Sequence, residues 1–138
     1  MDFDLTEEQV QLRDAARKLA QHEFRDKAAR WDRDETFPEE NKHRLAELGY
    51  LGLSVDREFG GSGAGLVSTY LVIEELAKVD LLTAMIVHDQ NVSPRIIANH
   101  GPEELKRRLV PRFVTGELEC SIAWTEPQAG SDGTAIRT

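Results

Sequence analysis

The sequence predicts an all-α fold, an up-and-down bundle of about five helices followed by the first strands of an incomplete β domain. Three observations carry this. Apolar residues recur at 3.6-residue spacing over most of the first 116 positions. Helix stop and start residues punctuate that pattern at regular intervals. After Gly116 the period changes to two. The boundaries that follow are a helical region, residues 1–116, and the beginning of a β region, residues 117–138.

The first helix starts at Thr6-Glu7-Glu8-Gln9, which has the form of a capping box. Leu12, Ala15, Ala16, Leu19 and Ala20 form its apolar stripe, and it is expected to reach Trp31. A polar break, Asp32 to Phe37, leads to Pro38, a residue suited to the first turn of a second helix. That helix carries Leu45 and Leu48 and stops at Gly49. Residues 50–65 read as a connection with a flexible glycine-rich core, Gly60 to Gly65.

A third helix is expected from Leu66 to Lys78, with Leu71, Val72, Leu76 and Val79 inward and Glu74 and Glu75 on the margin. The fourth, Leu81 to Asn99, is apolar over much of its circumference, which places it centrally, with an interruption or kink near Pro94. His100-Gly101-Pro102 stops it, and the fifth helix runs from Glu103 to about Thr115. Leu118, Cys120, Ile122 and Trp124 then alternate with Glu119, Ser121, Ala123 and Thr125 as in a strand. A turn-rich stretch, Pro127 to Gly133, precedes a second expected strand, Thr134 to Thr138.

Of the 138 residues, 17 are Lys or Arg and 25 are Asp or Glu, a net charge of −8. Duplex nucleic acid and anionic membrane surfaces repel such a chain. The longest apolar stretch, Leu81 to Val87, falls far short of the roughly 20 residues that a membrane span needs. Met1-Asp2-Phe3-Asp4 has no cationic stretch of the kind that opens a signal or transit peptide. A lone cysteine, Cys120, suits a reducing compartment. The expected location is the cytoplasm, or the mitochondrial matrix for a mature eukaryotic chain.

Several patterns have bland readings. The Gly60–Gly65 run fails the dinucleotide fingerprint because position 66 is Leu66. Glu74 and Glu75 point about 100° apart on a helix, which suits a solvated or capping role better than an acid pair. His22, His43, His88 and His100 are scattered and form no metal-ligand pair. His88 reads as a core or pocket-edge histidine and Cys120 as a small buried hydrophobe. Lys106, Arg107, Arg108 and Arg112 cluster near a helix end, where they complement its dipole.

The most informative segment is Ala123-Trp124-Thr125-Glu126-Pro127-Gln128-Ala129-Gly130-Ser131-Asp132. From spacing alone it is a polar turn after a strand. Gly130 permits close backbone approach, the N–H groups of Gly130 and Ser131 suit an anion, and the Thr125 and Ser131 hydroxyls can donate to a bound ring or thioester. The segment resembles the first signature of the acyl-CoA dehydrogenase family, flavoenzymes that oxidise acyl-CoA to 2-enoyl-CoA. Glu58-Phe59-Gly60-Gly61-Ser62-Gly63, Ile73 to Asp80, His100-Gly101, Leu109-Val110-Pro111-Arg112 and Thr115-Gly116-Glu117-Leu118 extend the resemblance along the whole chain. Ser68-Thr69 through Asp80, with Asp89-Gln90-Asn91, looks most like the short/branched-chain members.

The resemblance implies FAD as cofactor and a short or branched acyl-CoA as substrate. It implies that Ile122, Trp124, Thr125, Gly130 and Ser131 line the flavin. Thr125 would meet the reactive edge of the ring, and Ser131 would lie by the FAD pyrophosphate and the CoA thioester arm. Trp124 stands where an aliphatic residue is usual. Met85, His88, Asp89 and Val92, on the helix flooring the acyl pocket, would tune chain length. No residue matches the family's catalytic base, a glutamate of a C-terminal domain, so the chain is expected to be inactive alone. An electron-transfer flavoprotein and a homotetramer are the implied partners. An acyl-CoA oxidase or related flavoenzyme on the same scaffold, or a non-catalytic helical interaction module, are the alternatives.

Overall fold

The computed structural model describes residues 4–138. Met1 to Phe3, on which the reading of no signal peptide partly falls, lie outside the described residues. The fold is helical, as expected. Helix α1 spans Glu7–Leu19, a π-helical turn Ala20–Phe24 and α2 Arg25–Asp34; α3 is Glu39–Glu47, α4 Gly65–Ala77, α5 Leu81–His100 and α6 Glu103–Val114. The α1–π–α2 stretch is one continuous helical path, so the described residues hold the five long helices that the periodicity predicts.

The capping box forms at Thr6, whose hydroxyl accepts from Gln9 N at 3.2 Å while its own N–H donates to Gln9 Oε1 at 3.0 Å. The π turn was not legible in the spacing. Its widened winding shifts the face that follows, and both Ala20 and Phe24 are buried there. The helical path runs past Trp31 to Asp34 and closes on Glu35, left-handed at φ 49°. Pro38 precedes α3 by one residue instead of opening its first turn. Gly49, at φ 74°, ends α3 in the left-handed conformation that its lack of a Cβ permits.

Residues 50–65 are not the flexible connection that the glycines suggest. Two 3-10 turns, Tyr50–Gly52 and Arg57–Phe59, bury Leu51, Leu53, Val55 and Phe59. A Cβ on Gly61 would stand 2.1 Å from the Val55 carbonyl oxygen, so this glycine permits close packing. One core cluster joins Leu19, Phe24, Leu45, Leu51, Val72, Leu76 and Val87. A second joins Val55, Phe59, Ala98, Val110 and Val114.

α5 is central, packed against α3, α4 and α6. Asp80 caps it by accepting from Leu82 N at 3.1 Å. Pro94 does not interrupt it. The missing N–H removes one ladder bond, but the buried ring sits among packed neighbours and the helix continues to His100.

Glu75 is not a solvated residue. It is 3% exposed and takes a fork from Arg17 of α1, Nε to Oε2 at 3.0 Å and Nη2 to Oε1 at 2.9 Å. Lys78 Nζ adds a bond at 2.8 Å. The Arg17 hydrogen bonds are the main cause of a carboxyl pKa lowered to about 2, with Lys78 adding to the effect against the opposing penalty of burial. Glu74, its neighbour, is exposed and pairs only with Lys78.

The expected strands are absent among the described residues. Residues 118–125 run without a ladder, and the one β bridge, Glu126 to Ala129, closes a turn. Thr134 to Thr138 begins with a 3-10 turn, Gly133–Ala135. The physical reason is pairing: a strand exists by exchanging backbone hydrogen bonds with a neighbour, and these segments have none.

The depressed Glu75 pKa makes its contribution to stability full above about pH 4.5 and lost as pH falls towards 2. Arg17 is half exposed, which holds the pair to about 1–2 kcal/mol. Glu75→Gln is expected to lower the unfolding free energy from a urea titration at pH 7 by that amount, with the difference from wild type shrinking over this acid window. Gly61→Ala is expected to cost about 1–3 kcal/mol in the same measurement, because the Val55 backbone must move.

Candidate functional site

Three buried polar groups on or before α5 organise its surroundings. Asp80 accepts the Thr83 hydroxyl, which accepts from Asn41 Nδ2 of α3 at 2.8 Å. Asn91 Nδ2 donates to Tyr50 O at 2.9 Å and Val87 O at 2.8 Å, and its Oδ1 accepts from Ser54 N at 2.9 Å. Asn91 thus fixes the tight 50–55 loop. Gln90 reaches the other way, donating to Leu118 O at 2.7 Å and accepting from Cys120 N at 3.3 Å. Spacing alone did not single out these residues for such roles. The signal present in the sequence was two consecutive amides within a helix that is apolar over much of its circumference.

A groove of about 100 Å³ lies beside Gln90, lined by Phe37, Leu82, Met85, Ile86, Asp89 and Cys120 among others. Lys42 of α3 spans its rim to Glu119 and also pairs with Glu39 at 3.4 Å. The Glu119 hydrogen bond is the main cause of a raised Lys42 pKa. Of the four helix residues expected at an acyl pocket, Met85 and Asp89 line this groove. Val92 lines a separate depression with Leu66, Tyr70, Arg95 and Ile96. His88 stands half-buried between them, its Nδ1 2.9 Å from Asp89 Oδ1 and its ring edge-on to Tyr70 at 6.3 Å.

The 122–131 segment leaves the groove as an open edge. Ile122 and Trp124 are 45% and 60% exposed. Thr125, Gly130 and Ser131 are exposed too, and an added Cβ on Gly130 would meet nothing within 4 Å. Ala129 alone of this turn is buried, held by reciprocal backbone bonds with Glu126 at 3.0 Å. The hydroxyls of Thr125 and Ser131 point to no protein acceptor among the described residues. Free donors, an apolar ring face and an unobstructed glycine fit one side of a flat, polar-edged cofactor such as FAD.

The nearby carboxylates are engaged. Asp89 meets His88, Glu119 meets Lys42, Asp132 accepts Thr134 N at 3.1 Å, and Glu126 accepts Arg137 N and Thr138 N at 3.0 Å. Three of the four basic residues clustered on α6 are likewise paired: Arg107 with Glu103 at 2.8 Å, Arg108 with Glu104 at 3.2 Å, and Arg112 with Glu117 at 2.7 Å. Among the described residues no three His, Cys, Asp or Glu side chains gather as a metal site, and no helix is long and apolar enough to cross a membrane.

Comparison with known proteins gives the same outline. Residues 6–117 match the family described as acyl-CoA dehydrogenase, N-terminal domain. An acryloyl-CoA reductase (NADH) of Anaerotignum propionicum is 38% identical over 138 residues, all of this chain and 35% of that protein. The short/branched chain specific acyl-CoA dehydrogenase of Bos taurus mitochondria is 36% identical over 134 residues, 96% of this chain and 31% of that protein. A crystal structure of a glutaryl-CoA dehydrogenase from Mycobacterium smegmatis in complex with FADH2 superposes with a TM-score of 0.87 at 27% identity, over 97% of this chain and 35% of that one. The chain therefore spans about a third of the length of the relatives it matches.

Cys120 is half-buried, its thiol 3.3 Å from Gln90 Oε1, and burial, with the Asp89 charge adding, raises its pKa to about 11. A raised value removes thiolate at neutral pH. Alkylation at pH 8 is expected to run roughly 10²-fold slower in the folded chain than in urea, read by mass spectrometry against time.

Proposed function

The chain belongs to the acyl-CoA dehydrogenase family, and from that premise we propose that it is the N-terminal helical part of an FAD-dependent enzyme that converts a short or branched acyl-CoA to its 2-enoyl-CoA. One observation carries the reading: the family match covers residues 6–117, and a few residues beyond it an exposed edge, 122–131, keeps the Thr125 and Ser131 hydroxyls without an acceptor among the described residues.

FAD, when bound, supplies the hydride acceptor. Thr125 donates its hydroxyl to the ring's polar edge, and Trp124 covers the ring with an apolar face that sheds water. Ser131 and the N–H groups beside Gly130 hold the anionic pyrophosphate. Met85, Asp89, His88 and Val92 lie on one stripe of α5; Met85 and Asp89 shape the groove wall against which the acyl chain rests, with His88 beside them and Val92 further along at a separate depression. Branching at the acyl chain is read by the Met85 and Asp89 side chains that line the groove.

The reaction also needs a carboxylate aimed at the acyl α-proton. Every carboxylate near the edge already serves a structural partner, which supports a chain that is inactive on its own and depends on a base from elsewhere. Electrons leave to an electron-transfer flavoprotein in this reading, and the complete enzyme assembles as a homotetramer.

A second reading has one specific support, the relative that is an acryloyl-CoA reductase using NADH. The same edge would then serve reduction of an enoyl-CoA. The test uses the full-length protein carrying this segment, under anaerobic conditions. Bleaching of the bound flavin by 2-methylbutanoyl-CoA is the expected result. NADH consumption driven by an enoyl-CoA, without bleaching by the saturated thioester, would favour the reductase. The 138-residue chain alone is expected to retain no stoichiometric FAD and to show no bleach.

A further inference from the structure

We propose that Gln90 is a positioning residue that stands in for a β-strand neighbour and sets the register of the flavin-edge segment on the helical bundle. The proposal rests on the function given above for that segment. Gln90 is 3% exposed in the middle of α5. Its Nε2 donates to Leu118 O at 2.7 Å and, more weakly, to Phe113 O at 3.4 Å. Its Oε1 accepts from Cys120 N and from the Cys120 thiol, both at 3.3 Å. Both donors and the acceptor oxygen of the amide are thereby used.

The choice of backbone partners is informative. A residue in a parallel ladder donates to the carbonyl before its opposite number and accepts from the N–H after it. Gln90 makes those two bonds around Glu119, from a side chain instead of a backbone. Among the described residues, no hydrogen bond holds the segment from Ser121 to Thr125. Lys42 tethers Glu119 as well, but Glu119 is mostly exposed and an ion pair to one flexible side chain fixes no direction along the segment. Direction and parity come from the amide.

Parity matters because side chains alternate along extended backbone. A slip of one residue turns all of them over. A slip would carry Trp124 to the position from which Thr125 donates, placing an indole where a hydroxyl donor is needed. Gln90 also lies on the helix that carries Met85 and Asp89, one residue from the latter, so a single side chain ties the acyl-pocket wall to the flavin edge.

The test uses the full-length flavin-loaded protein and the variants Gln90→Leu and Gln90→Glu. Gln90→Leu keeps bulk and removes both bonds. The expected result is an FAD dissociation constant raised at least tenfold, a shifted flavin absorbance band, and amide exchange at Cys120 faster by tenfold or more, with the helical circular dichroism retained. A folded Gln90→Leu protein with wild-type FAD affinity, spectrum and Cys120 protection overturns the proposal.

Gln90→Glu covers the case in which the leucine variant does not fold. Its carboxyl copies the amide only when protonated, as donor to Leu118 O and acceptor from Cys120 N. The groups facing it are Asp89 on α5, Lys42 on α3, and Glu119 and Cys120 on the extended segment. FAD affinity in this variant is expected to recover towards wild type as pH falls from 8 to 5, beyond any change in wild type itself. A profile parallel to wild type overturns the proposal. If the wild-type protein binds no flavin, the functional reading fails, and Cys120 amide exchange alone still decides whether Gln90 docks the segment.

Discussion

Burial of amides in the middle of α5 is the constraint on which the rest of the molecule depends. Asn91 is 1% exposed, so water cannot satisfy its side chain, and an unsatisfied buried amide costs about 1–3 kcal/mol. Beyond the Val87 carbonyl of its own helix, the groups that meet it are backbone atoms of the 50–55 loop, and that loop is held where it can give them. Gln90 imposes the same demand on the chain after α6. One helix therefore dictates the path of two segments, one with a single 3-10 turn and the other with no regular structure. The glycine-rich stretch from Gly60 then packs down over Val55 because the loop beneath it is already fixed.

The helices themselves were legible because their signals are local. The capping box at Thr6, the left-handed stop at Gly49 and the apolar stripe through Val72 and Leu76 depend on neighbours within one or two turns. What escaped the sequence is what depends on distant partners. Glu75 looks like any charged residue beside Glu74, and only Arg17, 58 positions away, makes it a buried fork. The π turn at Ala20–Phe24 leaves a spacing that an ordinary helix tolerates. Pro94 signals a break by its own chemistry, and tertiary packing overrides it. The expected strands failed for the same reason in reverse, since period-two alternation describes side chains and says nothing about whether a partner backbone is present.

The candidate site divides along this line too. The family resemblance pointed to Met85 and Asp89 on one wall of a pocket, and the two do line one groove. Val92, seven residues beyond Met85 on the same stripe, meets a different depression because Tyr70 and Leu66 of α4 crowd that end. The residues that connect groove to edge, Gln90 and Lys42, were invisible as such, because their meaning lies in backbone atoms and a carboxylate that reach them from residues 118–120.

These differences give the molecule two grades of local stability. The bundle holds two core clusters, and Asn41 and Thr83 tie α3 to α5. The edge from Ser121 to Thr125 has exposed backbone and no hydrogen bonds to hold it, which places it at the low end of the stability range. A ligand that lies on such an edge must supply the ordering free energy itself, and its apparent affinity falls by that amount. Docking the preceding residues onto α5 reduces the number of free residues between anchor and ligand contact. The buried amide thus links the stable part of the chain to the part that must be ordered, and the stiffness of α5 is transmitted only as far as Cys120.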